Sequence, residues 1–236
     1  MEYSLNTLYF LGMGTLVMWM ATGFTMLEAG SIRSKNVTEI LIKNIALYSV
    51  ASISFLLAGY GLMYGWAPPD DHALWSDFFF QVVFVATAMS IVSGAVAERK
   101  KLWTFLLFAT IFTALIYPIQ GAWSWGGGWL SARGFYDFAG SGVVHMAGAS
   151  AALAGVLLLG PRIGKYDENG LPKPIHGSNA AQVALGTLIL WMGWFGFNGG
   201  SQLAISGFEN ANAVAKIFVN TNTAAASGLL SAMVLS

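Results

Sequence analysis

The stretch DFAGSGVVHM holds a carboxylate, Asp137, and eight residues later an imidazole, His145, among small and apolar neighbours. An Asp that opens a helix accepts hydrogen bonds from the free N–H groups of the first turn and sits at the favourable end of the helix dipole. Asp137 therefore reads as a cap, and a capping carboxylate also biases a nearby vestibule toward cations. Counted from Asp137 at 1.5 Å per residue, His145 lies about 12 Å deeper along the helix axis. At such a depth in a membrane an ionisable side chain marks a pathway, or else it bonds a neighbouring helix as a structural histidine. Val143, Val144 and Met146 bring it no counter-charge, and a neutral imidazole can both donate and accept.

Aromatic residues supply the next candidates. Phe80 and Phe84 are four apart and share a helix face; such a pair serves as packing, as lipid-facing surface or as a gate. In WSWGGGWL, Trp123, Trp125 and Trp129 fit an interfacial belt. The glycines after Trp125 also allow its indole face to turn toward a vestibule, where it would attract a cation by roughly 0.5–2 kcal/mol. WFGFNGGS, from Trp194 to Ser201, closes a helical stretch with aromatics, an amide and a hydroxyl that can accept from an N–H donor.

The elements that must position these residues are membrane helices. Of 236 residues, 56% are hydrophobic and 9% charged, far below the roughly 25% charge of a soluble domain. Spans of about 20 apolar residues recur, and we expect seven, near 5–27, 40–66, 78–97, 102–130, 138–159, 180–203 and 213–236. Lipid cannot satisfy an open strand edge, so the fold class is all-α, a polytopic helix bundle. The first span is too long for a signal-peptide core and lacks a basic start, so it is kept as a mature helix. Ala147, Gly148, Ala151, Ala152 and Gly155 form a small-residue stripe for close helix packing in lipid.

One set of loops carries Arg33 and Lys35, then Arg99, Lys100 and Lys101, then Arg162, Lys165 and Lys173; the other carries Asp70, Asp71, Asp77, Arg133, Glu209 and Lys216. The positive-inside rule puts the first set in the cytoplasm and the N-terminus outside. The longest connector, 161–179, is polar and punctuated by Gly and Pro. A net charge of zero gives no case for nucleic acid, and the absence of Cys excludes disulfides, thiol catalysis and Cys-based metal sites. The polar groups lie along a path with no nucleophile beside a base, so no enzyme, cofactor or metal centre is expected.

DFAGSGVVHMAGASAAL, GAVAERKK, WGGG and WFGFNGGS, in this order, resemble the ammonium transporter (Amt/Rh) family. The resemblance runs from about residue 24 to the last residue. It implies an outer ammonium-recruitment site at Phe84, Trp125 and Ser201, with Asp137 as the buried acid beside it. Phe80 corresponds to a neighbouring pore aromatic, and Phe84 and Phe197 to stacked phenyl rings that close the pore entrance. His145 corresponds to the first of two pore histidines, and Trp194 to a tryptophan that supports them. Trp125 and Ser201 together favour the Amt branch.

The resemblance further implies a homotrimer in the cell membrane, surrounded by lipid, with a cytoplasmic regulatory protein as a possible partner. Ammonium would be recruited, deprotonated and conducted as ammonia past histidine while the proton is relayed separately. Family members have about eleven helices in two inverted repeats. Residues 1–236 are therefore expected to be one transmembrane domain cut short on its C-terminal side, the first five-helix repeat plus two helices of the second. An ammonium-sensing receptor of the same fold, fused to a signalling module, is the competing expectation.

Overall fold

A computed structural model describes residues 1–236. It contains seven helices long and apolar enough to span a membrane: α1 (Glu2–Ser31), α2 (Ser34–Tyr64), α3 (Leu74–Ala95), α4 (Leu102–Ala122), α5 (Ser141–Leu159), α6 (Ala180–Gly200) and α7 (Phe208–Leu235). There is no sheet; one isolated bridge, Tyr166 to Pro172, lies in the long connector. The chain is thus the all-α membrane bundle expected from its apolar periodicity. Several helix ends differ from the expected spans: α2 starts at Ser34 and not at 40, α3 at Leu74 and not at 78, and α7 at Phe208 and not at 213. Helix α4 stops at Ala122 and not near residue 130, because Gly126–Gly128 fold into turns that return to the α4 end. Helix α5 starts at Ser141 and not at 138.

Helix α3 is the central post, with nearly three quarters of its most apolar window buried (72%). Phe80, Val83, Phe84, Val85, Ala88, Met89 and Val92 supply its core surface. Along α1 and α6 the backbones come into near contact: a Cβ on Gly186 would lie 2.5 Å from the Leu27 nitrogen. Only a glycine fits there. The small-residue stripe works as expected on α5, where Gly148 faces the Ala88 carbonyl and Gly155 faces Val96.

Three helices carry a π-helical turn, in which the backbone bonds reach back five residues. Two of these, Phe55–Gly59 in α2 and Phe112–Ile116 in α4, lie side by side. Pro118 has no N–H to return to the preceding turn, and the wide turn just before it absorbs the mismatch. The third, Ser141–Met146, opens α5 and contains His145.

The expected division of the loops holds within the fold. Arg33 and Arg162, from two different connectors, and Asn36 in the first turn of α2 all bond the Glu98 carboxylate of a third connector. The Asp71 carbonyl and the backbone of Ile205 and Ser206 meet Asn6 at the opposite end.

Candidate functional site

A cavity of about 340 Å³ opens at the end of the bundle opposite Glu98. Phe80, Phe84, Trp125, Asp137 and Ser201 line it, together with Phe10, Tyr60, Tyr64, His72, Asp77 and Gln81.

Asp137 sits 5% exposed in the turn before α5. Its Oδ1 accepts from the backbone N–H of Gly140 at 2.8 Å and Ser141 at 3.0 Å. Its Oδ2 accepts from Gly142 at 2.9 Å and Val143 at 2.8 Å. This is the expected capping carboxylate, shifted in position: it stands before the helix and gathers the first four free N–H groups onto one side chain. The geometry depends on Gly140, whose φ of +94° suits a residue without Cβ and turns the chain back over the acid. The uniform α-helical rise expected from Asp137 to His145 does not apply, because the chain is non-helical up to Ser141 and π-helical from there to Met146.

The Trp125 indole N–H donates to the Asp137 carbonyl at 2.7 Å, so the acid's own backbone fixes the indole. Trp123 and Trp129, 43% and 50% exposed, stay at the surface. The three tryptophans of WSWGGGWL thus divide between a belt and a cavity wall. Ser201, just past α6, donates its hydroxyl hydrogen to the Phe197 carbonyl at 2.8 Å. Its oxygen lone pairs remain available to accept.

Behind the cavity the rings form a continuous line. Phe80 meets Phe84 edge-on at 4.7 Å, and Phe84 lies 4.2 Å from Phe197 with the planes 36° apart. Trp125 meets Phe84 edge-on at 6.0 Å. Beyond the Phe84–Phe197 pair, His145 lies 5.3 Å from Phe197 and stacks on Trp194 at 5.5 Å, the rings 9° from parallel. The imidazole is thus held by ring packing rather than by the hydrogen bond to a neighbouring helix that a structural histidine would make. A side chain at Gly200 would strike the Phe80 ring and one at Gly199 the Phe218 ring, so the glycine pair of FNGGS lets α6 close on α3 and on α7.

All eight singled-out residues therefore fall in one cluster: five line the cavity, and Phe197, Trp194 and His145 continue inward from it. Several other lining residues carry no motif signal in the sequence. Asp77 reads there as a loop charge but lies in the first turn of α3, and His72 stands in the loop just before it. The spacings were there to see: Asp77, Gln81 and Phe84 recur on one face of α3, and Tyr60 and Tyr64 are four apart on α2.

Comparison with known proteins places the chain in a family. The profile of the Ammonium Transporter Family matches residues 8–236. Ammonium transporter Amt2 of Archaeoglobus fulgidus is 45% identical, the match covering 94% of this chain and 52% of the relative. A putative ammonium transporter of Synechocystis is 42% identical over 98% of this chain and 56% of the relative. Among solved structures, a sensor Amt protein superposes with a TM-score of 0.93 at 36% identity, over 99% of this chain and 62% of that one. Mep2 of Candida albicans superposes at 0.75 with 26% identity, over 85% of this chain and 49% of that one. The chain spans about half the length of the curated relatives it matches. A profile match over nearly every residue, relatives above 40% identity and the same helical frame lead to one conclusion: this chain belongs to the ammonium transporter family.

Proposed function

We propose that this chain provides the entrance and the first part of the pore of a protein that carries ammonium across the cell membrane. The observation that carries this reading is the unbroken line from the polar cavity through the Phe84–Phe197 rings to His145. Ammonium and potassium are similar in size, so selection must use the directional N–H donors that ammonium alone has. Ser201 oxygen and the faces of Trp125 and Phe84 supply acceptors, and the charge on Asp137 favours a cation nearby. Past the paired rings a bare ion meets a steep desolvation penalty. It gives up its proton and crosses as ammonia beside His145, with the proton passed separately. Trp194 keeps the imidazole plane aligned. In this reading the cavity faces outward with the N-terminus, the Glu98 loops face the cytoplasm, and the assembly is a homotrimer open to a cytoplasmic regulator.

The test uses the gene product at its full length in proteoliposomes, with charge movement recorded for ammonium and potassium. His145→Ala should interrupt the current, and His145→Asp should admit potassium, because a carboxylate at that depth attracts bare cations. Well-assembled variants with wild-type ammonium currents and unchanged potassium exclusion would refute the relay role.

The superposition on a sensor Amt protein at a TM-score of 0.93 favours a second reading, in which the same cavity senses ammonium. A gene product that binds ammonium in the cavity but moves no charge or ammonia would decide for it.

A further inference from the structure

One part of the cavity wall is built from groups to which the proposed recruitment site gives no role. Tyr60 donates its hydroxyl hydrogen to Asp77 Oδ2, and Tyr64 donates to Gln81 Oε1 at 2.9 Å. Asp77 Oδ1 has only a long contact, 3.5 Å, from the Gln81 amide. In the loop before α3, His72 lies face to face on Phe10, the centroids 4.2 Å apart and the planes 14° from parallel. Its Nδ1 is 2.7 Å from Asp71 Oδ1, an atom that can only accept. The neutral ring must therefore carry its hydrogen on Nδ1 and present a lone pair at Nε2. That nitrogen is buried without a partner, and it faces Asp77 Oδ1 across 3.9 Å.

Two acceptors thus converge in a cavity with no donor between them. Buried polar groups are normally paired, so the arrangement calls for a donor from outside. An ammonium ion can fill the gap by donating one N–H to each acceptor. A hard alkali cation gains little from imidazole nitrogen, because such ions prefer oxygen.

We propose that His72 Nε2 and Asp77 Oδ1 form a second ammonium-holding subsite in the cavity. The subsite rests on the reading of ammonium as the substrate. Phe10, stacked under His72, meets Phe80 edge-on at 5.3 Å, so the subsite adjoins the rings that lead to Phe84. The titratable groups around the pair are Asp71 on its own loop, Tyr60 and Tyr64 from α2, and Tyr136 and Asp137 from the turn before α5. From α1, Phe10, Asn6 and Thr7 contact His72 and the residues on either side of it, and none of the three is charged.

The experiment measures apparent ammonium affinity for the full-length gene product in proteoliposomes, with and without excess potassium. The variants are His72→Phe, which keeps a ring on Phe10, and Asp77→Asn, with assembly checked by size-exclusion chromatography. Either variant should weaken the apparent affinity by roughly tenfold, as expected for one charge-assisted hydrogen bond, and excess potassium should leave the wild-type affinity unchanged. If either well-assembled variant kept the wild-type affinity, the subsite would be overturned while the transport reading stood. A wild-type protein with no ammonium response would overturn that reading and the subsite with it.

Discussion

At the cavity end of the bundle, Asp137 and Asp77 are held by neutral donors, backbone N–H groups, a tyrosine hydroxyl and an amide. At the far end, Glu28 and Glu98 are held by cations. Lys43 Nζ lies 3.0 Å from Glu28 Oε2, with the lysine side chain fully enclosed. Arg33 and Arg162 reach the enclosed Glu98 carboxylate at 3.0 Å and 3.2 Å. Neutral donors stabilise a carboxylate without cancelling its charge, so the cavity end keeps a field that draws cations. Ion pairs cancel that field locally and tie elements together. Glu28 of α1 and Lys43 of α2 meet the Ser93 hydroxyl and carbonyl of α3, and three connectors meet at Glu98. Glu98 holds its place with a φ of +63°, a left-handed conformation that costs a non-glycine residue about 1–2 kcal/mol. The bundle is clamped at one end and left electrostatically open at the other.

The contrast can be broken most forcefully at the clamp. Lys43→Ala or Glu28→Ala leaves an unpaired buried charge and should cost about 3–5 kcal/mol. Replacing both, as Glu28→Gln with Lys43→Met, should recover most of that. Thermal unfolding in detergent reads both effects, and a single variant as stable as wild type would mean the pair is no clamp. Asp137→Ala comes next. It strips four N–H groups of their acceptor and should cost about 2–3 kcal/mol. Faster hydrogen exchange confined to the amides of Gly140 to Val143 would locate the loss, whereas unchanged exchange there would contradict the cap.

Ser201→Ala tests the open end with a smaller effect. Losing one neutral acceptor, about 0.5–1.5 kcal/mol, should weaken apparent ammonium affinity roughly 2- to 13-fold, while unfolding stability falls by no more than the one neutral hydrogen bond to the Phe197 carbonyl. An unaltered affinity would place recruitment elsewhere in the cavity.

The smallest effect is a pH dependence at Glu98. Burial opposes ionisation of this carboxyl, but bonds from Arg33 and Asn36 outweigh it and hold the group below its usual range. The stabilisation is therefore complete above the unfolded carboxyl's value, about 4.3, and is lost as pH falls through the lower native value. With Arg33 and Arg162 about a third exposed (30% and 32%), the contribution stays below about 1 kcal/mol. Glu98→Gln should remove it, so wild type and variant should converge in stability at strongly acid pH and differ at neutral pH. Curves that stay parallel would remove Glu98 from the clamp.

Much of this was legible in the residues. The long apolar runs and the sparse charge require membrane helices, since lipid leaves no alternative for an unpaired backbone. Loop charges separated the two ends, and the spacing of Phe80 and Phe84, the acid before α5 and the FNGGS ending all sit where their types suggested. His72, Asp77 and Glu28 were missed because a charge near a helix end looks the same in sequence whether it meets water, a cation or a cavity.

Local chemistry was thus written in the sequence by itself: which segments are helical and apolar, which side chains can cap, stack, donate or accept. Tertiary structure alone decided their partners and depth. A π-helical turn adds a residue that no 3.6-residue periodicity anticipates, and it sets the direction of His145. Whether a carboxylate is neutralised or left facing a cavity depends on residues as distant as Arg33 is from Glu98, or Phe10 from His72. Such pairings arise only when helices far apart in the chain pack side by side, because burial and Coulomb energy depend on distance in space and not along the chain.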